Sequence, residues 1–311
     1  MRRALATALT IWAVLPAAMP RAAEELPGPL GGPTPRTWKE VIRRNADRGV
    51  RVWRPEIARA DGVRIVRDVV FAERDEKTCR LDLYLPGEQN GSKPPVVVLI
   101  HGGGWKDGTR DRMHRACLWL SGRGFAAATI DYRLLGEAPY PAAADDCRAA
   151  VDWLIENAGD YDGYDPGRIA VWGTSAGAHL AALTAVTHDA VGAAVVIAGP
   201  VDLTTEFFQE RSLDPESNVF RFLRGTYTEL PAVYADASPA LHVDADSPPV
   251  FFITEQPFER AGRYLTNLDE YGIPYETMTL AGGRHGHWNY EPWFTPLMER
   301  ADAFLRASLA E

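Results

Sequence analysis

A short apolar run, Arg168-Ile169-Ala170-Val171-Trp172, ends in Gly173-Thr174-Ser175-Ala176-Gly177, and Ala178-His179-Leu180-Ala181-Ala182-Leu183 follows. The order predicts a buried strand, a turn too tight for side chains at Gly173 and Gly177, and a helix start whose small residues allow close packing. Such a turn lifts the Ser175 hydroxyl above the end of a sheet, where a substrate can meet it. G-x-S-x-G recurs by chance in glycine-rich chains, and an ordinary turn holding a glycine-flanked serine is the plain alternative. The flanking strand and helix patterns favour the nucleophile.

Upstream, Pro95-Val96-Val97-Val98-Leu99-Ile100 is continuous and rich in β-branched residues, as expected of a strand covered on both faces. It runs into His101-Gly102-Gly103-Gly104-Trp105. Acyl transfer builds negative charge on a carbonyl oxygen, and fixed backbone N–H groups aimed at it lower the barrier. The amides of Gly103, Gly104 and Ala176 are assigned as this oxyanion hole. A phosphate cradle is disfavoured, because the Lys and Ser/Thr of a P-loop are not at their spacing.

A base is expected after the last strand, Tyr275–Leu280, in Ala281-Gly282-Gly283-Arg284-His285-Gly286-His287-Trp288. A glycine-bracketed loop there can carry an imidazole over a serine distant in sequence, and serine before histidine is the chain order this chemistry uses in α/β sheets. His285 is preferred to His287, which serves equally as a hydrogen-bonded loop residue. No Cys or carboxylate cluster stands near the pair at ligand spacing, so no metal is expected, and no cofactor.

Four motifs in order now resemble a known family: His101-Gly102-Gly103-Gly104-Trp105, Asp131-Tyr132-Arg133-Leu134, Tyr140-Pro141-Ala142-Ala143 and Trp172-Gly173-Thr174-Ser175-Ala176-Gly177. From about Leu81 to Phe304 the chain is similar to α/β-hydrolase serine esterases of the feruloyl-esterase-like and hormone-sensitive-lipase-like groups. The resemblance implies the α/β-hydrolase fold, with a mostly parallel eight-stranded sheet, helices on both faces and a small cap insertion. It also implies hydrolysis of carboxylic esters through an acyl-enzyme. The third catalytic group departs from the family, which usually places an aspartate shortly after the seventh strand. Here Pro249–Thr254 is followed by Glu255-Gln256-Pro257-Phe258-Glu259-Arg260. Glu serves in place of Asp in this fold, so Glu255 is the preferred acid, with Glu259 and Asp202 as alternatives. An amidase or peptidase of the same fold, and a catalytically impaired binding protein, are the rival readings.

Other expectations come from pattern and composition. The 311 residues, 46% hydrophobic and 24% charged, suit a single enzyme domain over 61–311. A net charge of −9 argues against nucleic acid or an anionic membrane as partner, leaving a small-molecule or cell-wall-derived ester as substrate. Arg2-Arg3 followed by an apolar stretch reads as a signal peptide over 1–23, ahead of an extension over 24–60, and implies export without stable membrane insertion. Three cysteines do not describe a disulfide scaffold. Val63–Phe71 and Cys79–Leu85 alternate as half-exposed edge strands do, and apolar strands separated by helix-like runs follow. The aromatic-rich segment 204–236 is a cap that lines the pocket, packs onto the main body, or both. Trp105 and Trp288 are the expected substrate contacts, whereas Tyr132 and Trp293 are assigned to the core. Asp131 is expected to pair with Arg133.

Overall fold

The computed structural model describes residues 43, 46–52, 62–87, 92–255, 261–280 and 285–310. The expected leader, most of the 24–60 extension and Glu259 lie outside the described residues. Eight strands form the main sheet: β1 (Arg64–Glu73), β2 (Thr78–Leu85), β3 (Pro95–Ile100), β4 (Ala126–Ile130), β5 (Asp165–Thr174), β6 (Val191–Ile197), β7 (Val250–Thr254) and β8 (Tyr275–Thr279). Their order is β1-β2-β4-β3-β5-β6-β7-β8, antiparallel between β1, β2 and β4 and parallel from β4 to β8. The helices that matter here are α1 (His114–Ser121), α2 (Ala142–Glu156), α3 (Ala176–Thr187), α4 (Glu206–Ser212), α5 (Asn218–Leu223), α6 (Pro231–Asp236), α7 (Gly262–Tyr271) and α8 (Phe294–Ser308).

The apolar strands are continuous because both faces of the sheet are covered. In β3, Val96, Val98 and Ile100 point to a core shared with α2, α3 and α7, while Val97 and Leu99 point to a second core under α1 and α8. Period-two alternation thus feeds two apolar layers instead of one apolar and one wet face. Each fully buried aliphatic side chain contributes roughly 1.5–3 kcal/mol, so the central strands are the least negotiable part of the fold. The register sets Ile100 beside Gly173, which brings the ends of β3 and β5, and hence the two motifs they carry, to one rim.

Two expectations are corrected. The Cys79–Leu85 strand is interior: Leu83 pairs with Val66 of β1 on one side and with Ala128 of β4 on the other. Its alternating sequence reads as an edge, but both faces are packed, and only β1 is exposed on that flank. Asp131 pairs with Arg110, whose Nη1 lies 2.5 Å from Oδ2, and not with Arg133. Arg133 turns instead to Asp146 on α2, donating Nε–H and Nη2–H at 2.9 Å each. Both carboxylates are buried and each must be compensated: Arg110 serves Asp131, which leaves Arg133 for the fully buried Asp146.

The three cysteines are buried and free. Tyr132 and Trp293 are core residues, as expected. The segment between β6 and β7 is helical, carrying α4, α5 and α6. Among the described residues no helix is long and apolar enough to cross a membrane.

Candidate active site

Strand β5 passes directly into α3 through Ser175, whose φ of 55° and ψ of −122° lie in a region most side chains avoid. A turn this sharp leaves no room on either flank. A Cβ at Gly173 would lie 2.0 Å from the Gly177 carbonyl oxygen, and one at Gly177 would lie 2.1 Å from that of Ile100. The Ser175 N–H donates to the Ile197 carbonyl at 2.8 Å, tying the turn to β6. The hydroxyl is thereby held above the carboxyl ends of β3 and β5, the rim at which parallel sheets bind ligands.

His285 meets it from the loop after β8. Nε2 lies 2.9 Å from Ser175 Oγ, and Nδ1 lies 2.8 Å from Glu255 Oε2. A carboxylate only accepts, so Nδ1 carries the proton and the Nε2 lone pair faces the serine hydroxyl. This is the tautomer a general base needs. Glu255 stands at the end of β7. Burial pushes its carboxyl up, but hydrogen bonds and charge from His285 and His287 outweigh burial and hold it down at about 2.

His287, the less favoured base, stands behind the acid instead. It is fully buried, donates from Nε2 to the Leu280 carbonyl at 3.1 Å, and places Nδ1 3.3 Å from Glu255 Oε1. The i, i+2 spacing of the two histidines around Gly286 is the only signal that hinted at this arrangement. Asp202 is elsewhere: it accepts from the Thr204 N–H and hydroxyl and pairs with Arg263 at 3.3 Å.

A cavity of about 610 Å³ opens over Ser175 and His285, with Gly104 and Ala176 in its wall. Ala176 opens α3, so its N–H has no intrahelical acceptor and is available to a ligand. Gly104 follows Gly103, whose φ of 144° turns the loop so closely that a Cβ there would sit 1.5 Å from the Asp107 carbonyl oxygen. Gly103 itself lies outside the cavity lining, a position the sequence did not separate from that of Gly104.

The insertion does both jobs considered for it. Phe207 and Phe208 line the cavity, whereas Phe222 and Tyr234 are buried against the main body. Arg211 and Asn218 also reach the cavity, and no motif in this aperiodic stretch marked them. Trp105 borders the cavity with its indole mostly buried and stacked on Phe222 at 4.6 Å. Trp288 corrects an expectation. It sits edge-on to His285 at 4.9 Å and belongs to the α1/α8 core, so it backs the imidazole and does not line the cavity.

Esterase LipQ of Mycobacterium tuberculosis strain H37Rv is 31% identical over 188 residues, which cover 56% of this chain and 44% of that protein. The chain therefore spans less than half the length of that curated relative. Among solved structures, a truncated carbohydrate esterase from gut microbiota superposes with a TM-score of 0.66 at 22% identity, covering 80% of this chain and 97% of that one. The propionate-bound thermophilic esterase Est2 of Thermogutta terrifontis superposes with a TM-score of 0.65 at 25% identity, covering 81% and 97%. The BD-FAE family model matches residues 81–256, from within β2 through the elbow to just past Glu255 and over more than half of the 311 residues, and the chain belongs to the BD-FAE family.

Proposed function

We propose that this protein is a serine carboxylesterase that cleaves carboxylic esters through an acyl-enzyme. The reading is carried by one observation, the relay in which Ser175 Oγ, His285 and Glu255 stand at 2.9 and 2.8 Å. His285 Nε2 takes the Ser175 proton as Oγ attacks the ester carbonyl. The oxyanion that forms accepts from the amides of Gly103, Gly104 and Ala176; the last two border the cavity. His285 then returns the proton to the departing alcohol, and water, activated by the same nitrogen, releases the acid. Glu255, ionised down to about pH 2, holds the imidazole tautomer and stabilises the imidazolium without itself taking the proton.

Likeness to LipQ and to Est2 supports ester over amide chemistry, and the propionate of the Est2 structure supports a small acyl group. The net charge of −9 and the Arg2-Arg3 start followed by an apolar run support an exported enzyme acting on small-molecule or cell-wall-derived esters. Hydrolysis of short p-nitrophenyl esters by wild type and Ser175→Ala tests the reading, with a matching anilide alongside. Wild type is expected to cleave the ester and the serine variant to lose on the order of 10³-fold or more. Equal rates in the two proteins remove the esterase reading, and faster anilide cleavage transfers it to the amidases.

A further inference from the structure

One buried histidine is used by no step above. His179 lies on α3, four residues after the nucleophile, and is fully buried. Its Nε2 stands 2.7 Å from the carbonyl oxygen of Ala237, just beyond α6, and its Nδ1 stands 3.2 Å from Trp105 Nε1. The first partner only accepts and the second only donates. One tautomer satisfies both, with hydrogen on Nε2 and a lone pair on Nδ1. Burial depresses the ring's proton affinity, to a pKa of about 4, against the opposing hydrogen bond to Ala237, so the neutral form is the one present.

The residue it grips needs gripping. Gly103, Gly104 and Trp105 have φ of 144°, 60° and 59° in succession, and for a bulky residue such as Trp105 that conformation is strained. Strain of this kind persists only where surrounding contacts over-determine it. Here those contacts are the His179 hydrogen bond, the Phe222 stack and the Leu135 N–H, which donates to the Trp105 carbonyl at 2.8 Å. His179 also meets Phe222 edge-on at 5.8 Å, closing a three-ring cluster.

We propose that His179 is a positioning residue for the oxyanion hole: it fixes Gly104 relative to Ser175 through Trp105, and ties both to the insertion through the Ala237 carbonyl. The path is short. Ser175 caps the start of the helix that carries His179, and Trp105 is the residue next to Gly104. A loop held only by its own backbone would let the Gly104 amide drift against the serine, and oxyanion stabilisation depends on donors being fixed before the charge forms.

The inference rests on the esterase reading, and the test separates the two. Turnover of a p-nitrophenyl ester is measured per active site, counted by stoichiometric fluorophosphonate titration, for wild type, His179→Leu, His179→Gln, Trp105→Phe and the Leu/Phe double variant. Misplacement of a catalytic group by about 1 Å costs on the order of 10²-fold, so the Leu variant is expected to lose between about tenfold and a hundredfold in kcat per titrated site. KM is expected to stay within about threefold, and inhibition by a boronic acid that mimics the tetrahedral state to weaken in parallel. Gln, which retains one donor and one acceptor, is expected to recover part of the loss. The double variant is expected to fall no further than the worse single one, because both cut the same link. Trp105→Phe carries the test where the Leu variant does not fold. A merely structural role predicts fewer titratable sites with unchanged kcat per site, and that result in both single variants overturns the proposal. The Trp105 indole N–H resonance in the ¹H–¹⁵N spectrum reads the link without turnover. Loss of its hydrogen-bonded shift in His179→Leu is expected, and no change overturns the proposal even if Ser175→Ala shows no ester chemistry to lose.

Discussion

The two halves of the catalytic relay are built differently. Ser175 sits between β5 and α3, half-buried in the cavity wall and clamped by Gly173, Gly177 and the Ile197 carbonyl. His285 sits on a loop with its side chain 57% exposed, and its position comes from Glu255, Trp288 and, beyond the acid, His287. One half is fixed by backbone that has no alternative, the other by side chains that hold each other. The serine half should therefore fail through folding and the histidine half through chemistry.

That contrast is broken or sharpened by substitutions on each side. Gly173→Ala gives the largest expected effect, because the new methyl lies 2.0 Å from the backbone oxygen of Gly177 and no flexible side chain can yield. A loss of more than about 4 kcal/mol, read by chemical denaturation or as absence of folded protein, is expected. A folded, fully active alanine variant breaks the comparison. Glu255→Gln is next. Mutating the acid of such a relay costs on the order of 10⁴ in kcat, so kcat should collapse in a protein that still folds but whose thermal transition at neutral pH is lowered by loss of the carboxylate.

The same carboxylate makes stability depend on acid. Its folded pKa of about 2 lies below the ordinary 4.5, so its stabilisation is present above pH 4.5 and is lost as pH falls from there towards 2. Denaturation series across that window should show wild type losing stability more steeply than Glu255→Gln. Parallel curves contradict the assigned pairing with His285 and His287.

Legibility in the sequence follows the same divide. The elbow and the oxyanion loop were readable because their constraint is local: glycines, a strand and a helix start within a dozen residues. The acid was readable only as a preference for Glu255, since Glu259 and Asp202 also lie near strand ends and the landing point of the β8 loop decides among them. Asp131 and Cys79–Leu85 were misread for a related reason. Pairing partners and the covering of a second face are set by Arg110, α1 and α2, which are remote in the chain. The cavity residues Arg211 and Asn218 lay in a stretch without periodicity, where no pattern marks a wall.

Smaller effects refine the site. Phe208→Ala should raise KM several-fold while changing kcat little, since truncating a cavity-wall ring removes substrate contact and spares the relay. Asp202→Asn, which weakens the pair with Arg263, should leave kcat/KM within about threefold of wild type. A collapse comparable to that of Glu255→Gln would move the acid to Asp202.

The convergence of Ser175, His285 and Glu255 is tested most directly by mapping a fluorophosphonate adduct by peptide mass spectrometry and timing its formation. One adduct is expected, on Ser175, forming quickly in wild type and orders of magnitude more slowly in His285→Ala and Glu255→Gln. An adduct on another residue, or equal labelling rates in all three proteins, contradicts the account.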